Sequence, residues 1–249
     1  MLAIVSAMPE EIAVVVESLE SVVTHESGRR RYHVGTYHGH EVVVVFSRMG
    51  KVAAAATTTQ LITSYGATHV VFSGVAGAVR PGLAIGDIVI GTELIQHDMD
   101  ASPIFPRYAV PLLGKAAFAS DPQLREQLSS AARAFLHADL ASHVSPAELA
   151  FFCIRTPQVV NGVIASGDKF FASSEEIAAL HRRLPAVACV EMEGAAVAQV
   201  CDEYAVPFGV VRTISDAADE NSAHDFARFA REIARHYSAG ILSRFLKAL

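Results

Sequence analysis

Several apolar runs in this sequence end in carboxylates, which are side chains suited to acid–base chemistry. The segment 190–195 reads Val-Glu-Met-Glu-Gly-Ala, and the segment 211–216 reads Val-Arg-Thr-Ile-Ser-Asp. Glu11 follows a third apolar run, which covers residues 2–7. Burying a carboxylate beside such a run is costly unless the group is paired or functional. Carboxylates held in this way can transfer protons to and from a reacting group.

Two further segments place small or flat side chains after apolar runs. The segment 73–77 reads Ser-Gly-Val-Ala-Gly, and its small residues let a ligand approach the backbone closely. The segment 166–171 reads Ser-Gly-Asp-Lys-Phe-Phe, and its aromatic rings can stack on a flat ligand. Taken singly, these features are more often a tight turn, aromatic packing or, for Glu11, an acid that stabilises a helix start. Together, at the strand ends of one sheet, they indicate a catalytic pocket, because ligands of α/β proteins bind there.

Metal, nucleophile and dinucleotide chemistry have weaker support. Residues 97–100 (His-Asp-Met-Asp) offer nitrogen and oxygen ligands, but no second cluster has the spacing of a metal site. The sequence contains no HExxH or GxSxG pattern, and its three cysteines have no evident histidine partner. The segment 73–77 is not a GxGxxG motif, so a Rossmann-type cofactor is not expected. We therefore predict carboxylate chemistry without a metal or a cofactor.

An α/β fold would position these segments, because short β-branched runs alternate with helical patterns. We predict a single domain over residues 1–249, with a central twisted, mixed and mostly parallel β-sheet flanked by helices. Several predicted strands are apolar throughout, as expected for strands buried on both faces. The predicted strands cover residues 2–7, 31–37, 41–47, 69–73, 87–96, 159–165, 188–191 and 209–215, with a hairpin turn at 37–40.

The helices are predicted from their start signals and from apolar residues at helical spacing. Pro9 opens the first helix, with Glu10 and Glu11 in its first turn. Ser173 and Glu176 are expected to form a capping box. The other predicted helices cover residues 52–64, 121–138, 177–184, 193–204 and 225–246. A buried stripe on the last helix is predicted from the spacing of Phe226, Phe229, Ile233, Tyr237 and Ile241.

The composition excludes several classes of protein. The 249 residues are 51% hydrophobic and 18% charged, with a formal net charge of -6. This apolar share excludes disorder, and the acidic balance without a large Lys/Arg cluster argues against nucleic-acid binding. No apolar run reaches the ~18 residues of a membrane span, and the first residues lack the pattern of a signal peptide. Cys153, Cys189 and Cys201 form no CxxC pair, so we expect reduced thiols in a cytoplasmic protein.

Six motifs, spread in order along nearly the whole chain, match a known enzyme family. They are MGKVAAA at 49–55, GDIV at 86–89, HD at 97–98, ASGD at 165–168, VEME at 190–193 and RTISD at 212–216. With these motifs the chain resembles the 5′-methylthioadenosine/S-adenosylhomocysteine nucleosidases of the nucleoside phosphorylase superfamily. The resemblance implies hydrolysis of the N-glycosidic bond of these adenine nucleosides, or also of 5′-deoxyadenosine, with release of adenine in methionine salvage. It also implies water as the nucleophile and a homodimer.

The resemblance assigns catalytic roles to the matching carboxylates. Glu11 is expected to activate the attacking water. Asp216, held by Ser215, is expected to act as the general acid that protonates N7 of adenine. Glu193 would accept hydrogen bonds from the sugar hydroxyls, with Arg212 nearby.

The resemblance also assigns the substrate contacts. Met192 would contact the ribose, Phe170 would stack on adenine, and the backbone of Phe171 would read the adenine edge. The remaining lining, around the ribose, the water and the 5′-thio group, would come from Val75, Gly77, Met8, Met49 and Phe105. The region of Phe105 would also reach across a homodimer interface.

Two segments depart from the family's pattern. The family commonly has Gly-Ser-Ala-Gly-Gly where this chain has Gly-Val-Ala-Gly-Ala at 74–78. Val75 thus replaces a serine whose hydroxyl lies near the nucleophilic water, so the water would be held by Glu11 and Arg212 or by a different donor. The segment 101–106 also departs from the commoner Phe-Gly-Tyr version, which leaves the preferred 5′-substituent open.

The physical requirements of the reaction match these residues. Departure of adenine through an oxocarbenium-like sugar needs an acid for the leaving base, a base for water and negative charge near the sugar. Asp216 must carry a proton at neutral pH, so its surroundings should raise its pKa by desolvation. Glu11 must stay ionised, and a helix N-terminus favours that form.

Three alternatives remain open. A purine nucleoside phosphorylase would use phosphate instead of water, although a carboxylate at Glu11 would repel phosphate. A related hydrolase would act on a nucleoside such as aminodeoxyfutalosine, because the motifs read adenine and ribose better than the 5′ group. A nucleoside-binding protein without catalysis would be expected to lose Glu11 or Asp216, and this chain retains both.

Overall fold

Strands and helices alternate along the chain in the computed structural model, which describes residues 1–216 and 222–249. The α/β class predicted from the sequence is confirmed. The strands are β1 Leu2–Ser6, β2 Glu20–Ser27, β3 Arg30–Tyr37, β4 His40–Phe46, β5 His69–Ala78, β6 Ile88–Gln96, β7 Ala117–Ala119, β8 Val159–Ser166, β9 Val187–Glu191 and β10 Phe208–Asp216. The helices are α1 Pro9–Glu17, α2 Lys51–Tyr65, α3 Pro122–Ala138, α4 Leu140–His143, α5 Pro146–Phe151, α6 Ser174–Arg183, α7 Gly194–Glu203, α8 Ser222–Phe229 and α9 Arg235–Lys247.

The strands form one mixed sheet that partly closes on itself. Within the described residues, ten strands run in the order β10-β6-β8-β9-β5-β1-β4-β3-β2, with β7 paired to β6. Since β10 also pairs with β5, the strands β5, β10, β6, β8 and β9 form a ring. Antiparallel pairings are as frequent as parallel ones among these strands. The C-terminal part of β5 runs antiparallel to β9 and pairs Gly77 with Val190, so the ends of these two strands meet.

Helices cover both faces of the sheet, and the side chains of β1 show how. Ile4 packs in a cluster that contains side chains of α1, α3 and α9. Its neighbours Ala3 and Val5 pack in a second cluster, which contains side chains of α2 and α7. Since successive side chains of a strand point to opposite faces, β1 is buried on both sides. This arrangement confirms the interpretation of its apolar run as a doubly covered strand.

β2 lies outside the predicted strands. All eight of its residues are exposed, and it pairs antiparallel with β3 at the edge of the sheet. The segment has no buried face and therefore no alternation of apolar and polar residues that would indicate a strand. The short elements β7, α4 and α5 were also not predicted. By contrast, the predicted hairpin turn joins β3 and β4, with positive φ at His38 and Gly39 as the two-residue turn requires.

Two predictions about helices need correction. The capping box at Ser173 and Glu176 does not form, since Ser173 makes no capping hydrogen bond. The carboxylate of Glu176 accepts instead from Lys169 Nζ at 2.5 Å. The predicted last helix is divided, because a π-helical segment at Ala230–Ala234 separates α8 from α9. Among the described residues, none of the helices has the length and apolar character that a membrane crossing requires.

Candidate active site

A pocket lies where β1, β5, β8, β9 and β10 end. It contains about 620 Å³ of space, part of it open to solvent. Glu11 and the segments 73–77, 166–171, 190–195 and 211–216, which the sequence analysis placed at strand ends, therefore do meet. Of the predicted site residues, Arg212 is buried beside the pocket and Phe105 lies outside its lining. The predicted residues that line it are Met8, Glu11, Met49, Val75, Gly77, Phe170, Phe171, Met192, Glu193, Ser215 and Asp216.

Glu11 is held at the start of α1, with its side chain folded back over the helix N-terminus. Pro9 occupies the first turn, where its missing N–H removes no helical hydrogen bond. Glu11 Oε2 accepts from the backbone N–H of Ala7 at 3.1 Å, from that of Met8 at 3.0 Å and from the hydroxyl of Ser6. Glu11 Oε1 accepts from the backbone N–H of Val75 at 3.1 Å. The carboxylate is thus fixed by neutral donors from two places in the fold, residues 6–8 and β5.

The environment of Glu11 sets its basicity. Burial raises the pKa of Glu11, and the Ser6 hydroxyl, the charge of Arg212 and the backbone donors Met8 and Val75 oppose that rise. The sequence argument considered only the helix N-terminus, whereas the structure adds a larger, opposite effect of burial. A general base works best when its pKa approaches the operating pH. A raised pKa therefore suits Glu11 as a proton acceptor.

Arg212 pairs with Glu191 rather than with Glu193. Arg212 Nη2 lies 2.6 Å from Glu191 Oε2, and both side chains are almost completely buried. The guanidinium also lies over the ring of Phe72, 4.0 Å from its centroid. Glu191 further accepts from the hydroxyl of Ser166 and from two backbone N–H groups at the start of α7. Glu191 is therefore the carboxylate that organises this side of the pocket, a role that the sequence analysis did not assign.

Glu193 is the other carboxylate of this segment, and it is buried on the pocket wall. Its Oε1 accepts from the backbone N–H of Gly50 at 2.8 Å. Gly50 has a φ of 95°, a conformation that favours glycine, and it lies directly before α2. Burial raises the pKa of Glu193, and the negative charge of Glu191 adds to the rise, while Arg212 and the Gly50 hydrogen bond oppose it.

Asp216 ends β10 and reaches the pocket through an irregularity in the sheet. Ile214 pairs with Ala76 of β5 and Asp216 pairs with Gly77, so Ser215 is the extra residue. Such a bulge redirects the side chains that follow it. Asp216 is 3% exposed, and the hydroxyl of Ser215 donates to its Oδ2 at 2.7 Å. The predicted partnership of Asp216 with Ser215 is present.

Three phenylalanines form an aromatic side of the pocket. Phe170 is 41% exposed, and its ring meets that of Phe226 edge-on, with centroids 5.7 Å apart. Phe171 is buried and packs against the ring of His97. Phe226 had been predicted as part of the buried stripe of the last helix, of which Phe229, Ile233, Tyr237 and Ile241 are buried. Phe226 instead lines the pocket, so its predicted place in the buried stripe is wrong. The helical spacing identified the face of the helix, but not the point at which that face reaches the pocket.

A polar cluster beside the pocket contains Asp98, one of the nitrogen and oxygen ligands that residues 97–100 offer. Lys51 Nζ lies 2.6 Å from Asp98 Oδ1, and Asp98 Oδ2 accepts from the backbone N–H of Asp168 at 3.0 Å. Asp168 Oδ1 in turn accepts from the backbone N–H of Lys51 at 2.8 Å. Asp98 is therefore neutralised by a lysine. Among the side chains that the structure describes, no group of three His, Cys, Asp or Glu residues is placed to bind one metal ion.

Comparison with known proteins identifies the family of this chain. The model of the phosphorylase superfamily matches residues 1–247. The chain belongs to the phosphorylase superfamily.

Its relatives within that superfamily are more specific. The 5′-methylthioadenosine/S-adenosylhomocysteine nucleosidase of Anoxybacillus flavithermus is 34% identical over 95% of this chain and 94% of its own length. The nucleosidase of the same name from Neisseria meningitidis, solved with methylthio-immucillin-A, is 35% identical with a TM-score of 0.87, covering 100% of this chain and 99% of that one. The futalosine hydrolase of Helicobacter pylori is 32% identical with a TM-score of 0.84, covering 100% and 97% of the two chains. The resemblance predicted from the six motifs is confirmed.

Proposed function

We propose that this protein hydrolyses the N-glycosidic bond of 5′-methylthioadenosine and S-adenosylhomocysteine and releases adenine. The observation that carries the proposal is the meeting of Glu11 and Asp216 in one pocket, from the ends of two different strands. Such a reaction needs a base on one face of the sugar and an acid for the leaving group. The names of the full-length relatives support the same substrates.

Each carboxylate has a defined task in this reaction. Asp216 donates its proton to N7 of adenine as the C1′–N9 bond breaks, and the bonding electrons leave with the base. The oxygen of a water molecule bonds to C1′ while Glu11 takes one of its protons. Glu193 accepts from the ribose hydroxyls. A proton then returns from Glu11 to Asp216 through solvent before the next turnover.

The apolar and aromatic lining supports an adenine nucleoside as ligand. Phe170 is exposed enough to stack on the purine, and the ring of Phe226 stands edge-on to the ring of Phe170. Phe171 offers backbone groups at the same wall for the adenine edge. Met8 and Met49 lie on the lining, where they would contact the ribose and the 5′-thio group.

Aminodeoxyfutalosine-type substrates are a second candidate. A futalosine hydrolase is among the full-length structural relatives, at nearly the same identity and TM-score as the nucleosidases. The two activities share the adenine and ribose parts of the site and differ at the 5′ group. Segment 101–106, which departs from the family's pattern, is where the sequence leaves this preference open. A purine nucleoside phosphorylase fits less well, because the negative charge of Glu11 would repel phosphate.

A homodimer and a cytoplasmic location belong to the same proposal. Val52, Ile104 and Leu112 are large apolar residues that are more than 80% exposed in the single chain. A partner subunit could cover such apolar side chains, and Phe105 lies beside Ile104 in sequence. Light scattering after gel filtration should give twice the 26.5 kDa of one chain. The free thiols of the buried Cys189 and Cys201 fit a reducing compartment.

Adenine release in phosphate-free buffer tests the activity directly. The purified protein is incubated separately with 5′-methylthioadenosine, S-adenosylhomocysteine, 5′-deoxyadenosine and aminodeoxyfutalosine, and free adenine is measured by chromatography. We expect turnover of the first two substrates without phosphate. A requirement for phosphate or arsenate would identify a phosphorylase instead. Binding of all four nucleosides without adenine release would identify a binding protein.

A further inference from the structure

Ser6 is a buried residue that the proposed reaction has not yet used. It ends β1, where it pairs with Phe46, and its carbonyl accepts from the backbone N–H of Ser47 at 2.7 Å. The sheet thus fixes its backbone. Its side chain is completely buried, and the hydroxyl donates to Glu11 Oε2. Ser6 is not part of the pocket lining, so it would act through Glu11 rather than on the substrate.

The two oxygens of Glu11 are held unequally. Oε2 accepts three hydrogen bonds, from the Ser6 hydroxyl and from the N–H groups of Ala7 and Met8. Oε1 accepts one, from the N–H of Val75, a residue that lines the pocket. A carboxylate oxygen has two lone-pair sites, so Oε1 is the atom with room for a further donor such as water. A Cβ at Gly74 would lie 3.0 Å from Oε1 and 3.2 Å from Arg212 Nη1, so the glycine leaves room for both side chains.

We propose that Ser6 is a positioning residue: its hydroxyl saturates Oε2 of Glu11 and thereby leaves Oε1 as the atom that takes the proton of the attacking water. The inference rests on the proposed function, because it needs Glu11 to act as the base. Ser6 supplies the side-chain donor of this set, and the other three donors are backbone groups. Its hydroxyl is therefore the donor that a substitution can remove.

The same hydrogen bond also favours the ionised form of Glu11. Burial raises the pKa of Glu11, and the hydrogen bond from the Ser6 hydroxyl lowers that pKa more than any other group does. Among the described residues, the other charged or titratable groups at the pocket are Lys169, Glu191, Glu193 and Asp216 on its lining and Arg212 beside it. Removal of the hydroxyl leaves those five in place. The pKa of Glu11 should then rise, and a larger share of the enzyme should carry a protonated, inactive Glu11 at neutral pH.

The test compares the pH dependence of kcat/KM for the wild type, Ser6→Cys and Ser6→Ala, with 5′-methylthioadenosine as substrate. The acid limb should move to higher pH by on the order of one unit in Ser6→Ala, since a hydrogen bond to a charged group is lost. The thiol of Ser6→Cys is a weaker donor and should give an intermediate shift. KM should change little, because Ser6 does not border the substrate.

Ser129→Ala is the matched control for removal of a buried hydroxyl. Ser129 lies on α3, is 1% exposed and donates to Asn161 Oδ1 at 3.1 Å, away from the pocket. This variant should lose thermal stability but keep the wild-type pH profile. If Ser6→Ala also lost stability and kept the wild-type profile and kcat, Ser6 would be structural only and the inference would be overturned. A wild type that released no adenine would instead refute the proposed function, so the two failures are distinguishable.

Discussion

Glu11 and Glu191 are two buried glutamates of one pocket, and they differ in what holds their carboxylates. Glu191 is paired with Arg212 at 2.6 Å and accepts further bonds from Ser166 and from the start of α7. Glu11 is held by the Ser6 hydroxyl and by backbone N–H groups, all of them neutral donors. Burial raises the pKa of Glu11, and its neutral donors oppose that rise only in part. Glu191 is thus fixed by an ion pair that builds the site, whereas Glu11 is held by neutral groups at a raised pKa that suits a proton acceptor.

A large effect on activity is expected from Glu11→Gln. The amide keeps the size of the side chain but cannot take a proton from water, so kcat should fall by ~10² to 10⁴-fold. KM for 5′-methylthioadenosine should change much less. Adenine release under substrate saturation measures the effect, and circular dichroism checks the fold. A kcat near the wild-type value would remove Glu11 from the role of base.

Glu191→Gln should lower the free energy of unfolding of the protein. It leaves the Arg212 guanidinium buried without its counter-charge, and breaking such a pair costs about 3–5 kcal/mol of unfolding free energy. The double variant Glu191→Gln/Arg212→Gln removes the unpaired charge and should recover part of that loss. Urea unfolding of the two single variants and the double variant gives the coupling energy. Additive losses would show that the pair is not the structural element described above.

A smaller, pH-dependent effect is expected from Glu193→Gln. The pKa of Glu193 is raised in the folded state, so the folded protein retains a proton that the unfolded chain loses above its ordinary pKa. This carboxyl therefore lowers stability as the pH rises beyond about 4.5. A neutral glutamine removes that loss, and the Tm of the variant relative to the wild type should increase between pH 5 and pH 8, by roughly 2–4 °C. A Tm difference independent of pH would contradict the raised pKa of Glu193. The KM of the variant should rise whichever Tm result is found.

The sequence predicted the fold class and most of the pocket because those features have local signals. The apolar run of β1, Pro9 at the start of α1 and the carboxylates after β9 and β10 can each be recognised from neighbouring residues alone. β2 could not be predicted in this way, because an exposed edge strand has no buried face to impose a pattern on its sequence.

Other features depend on contacts between distant segments. The motif at 190–193 contains both Glu191 and Glu193, and nothing in their spacing tells which one meets Arg212. The bond between Ser6 and Glu11 depends on how the chain turns after β1. Phe226 has the same helical spacing as Phe229, and only the position of α8 relative to Phe170 distinguishes a pocket residue from a core residue.

Asp216→Asn separates binding from catalysis, because the proposed reaction requires protonation of the leaving adenine by this side chain. Calorimetry measures binding of 5′-methylthioadenosine, and chromatography measures adenine release by the same preparation. Binding should stay close to that of the wild type while adenine release falls by ~10² to 10⁴-fold. Undiminished adenine release by Asp216→Asn would contradict the role of this residue as the general acid.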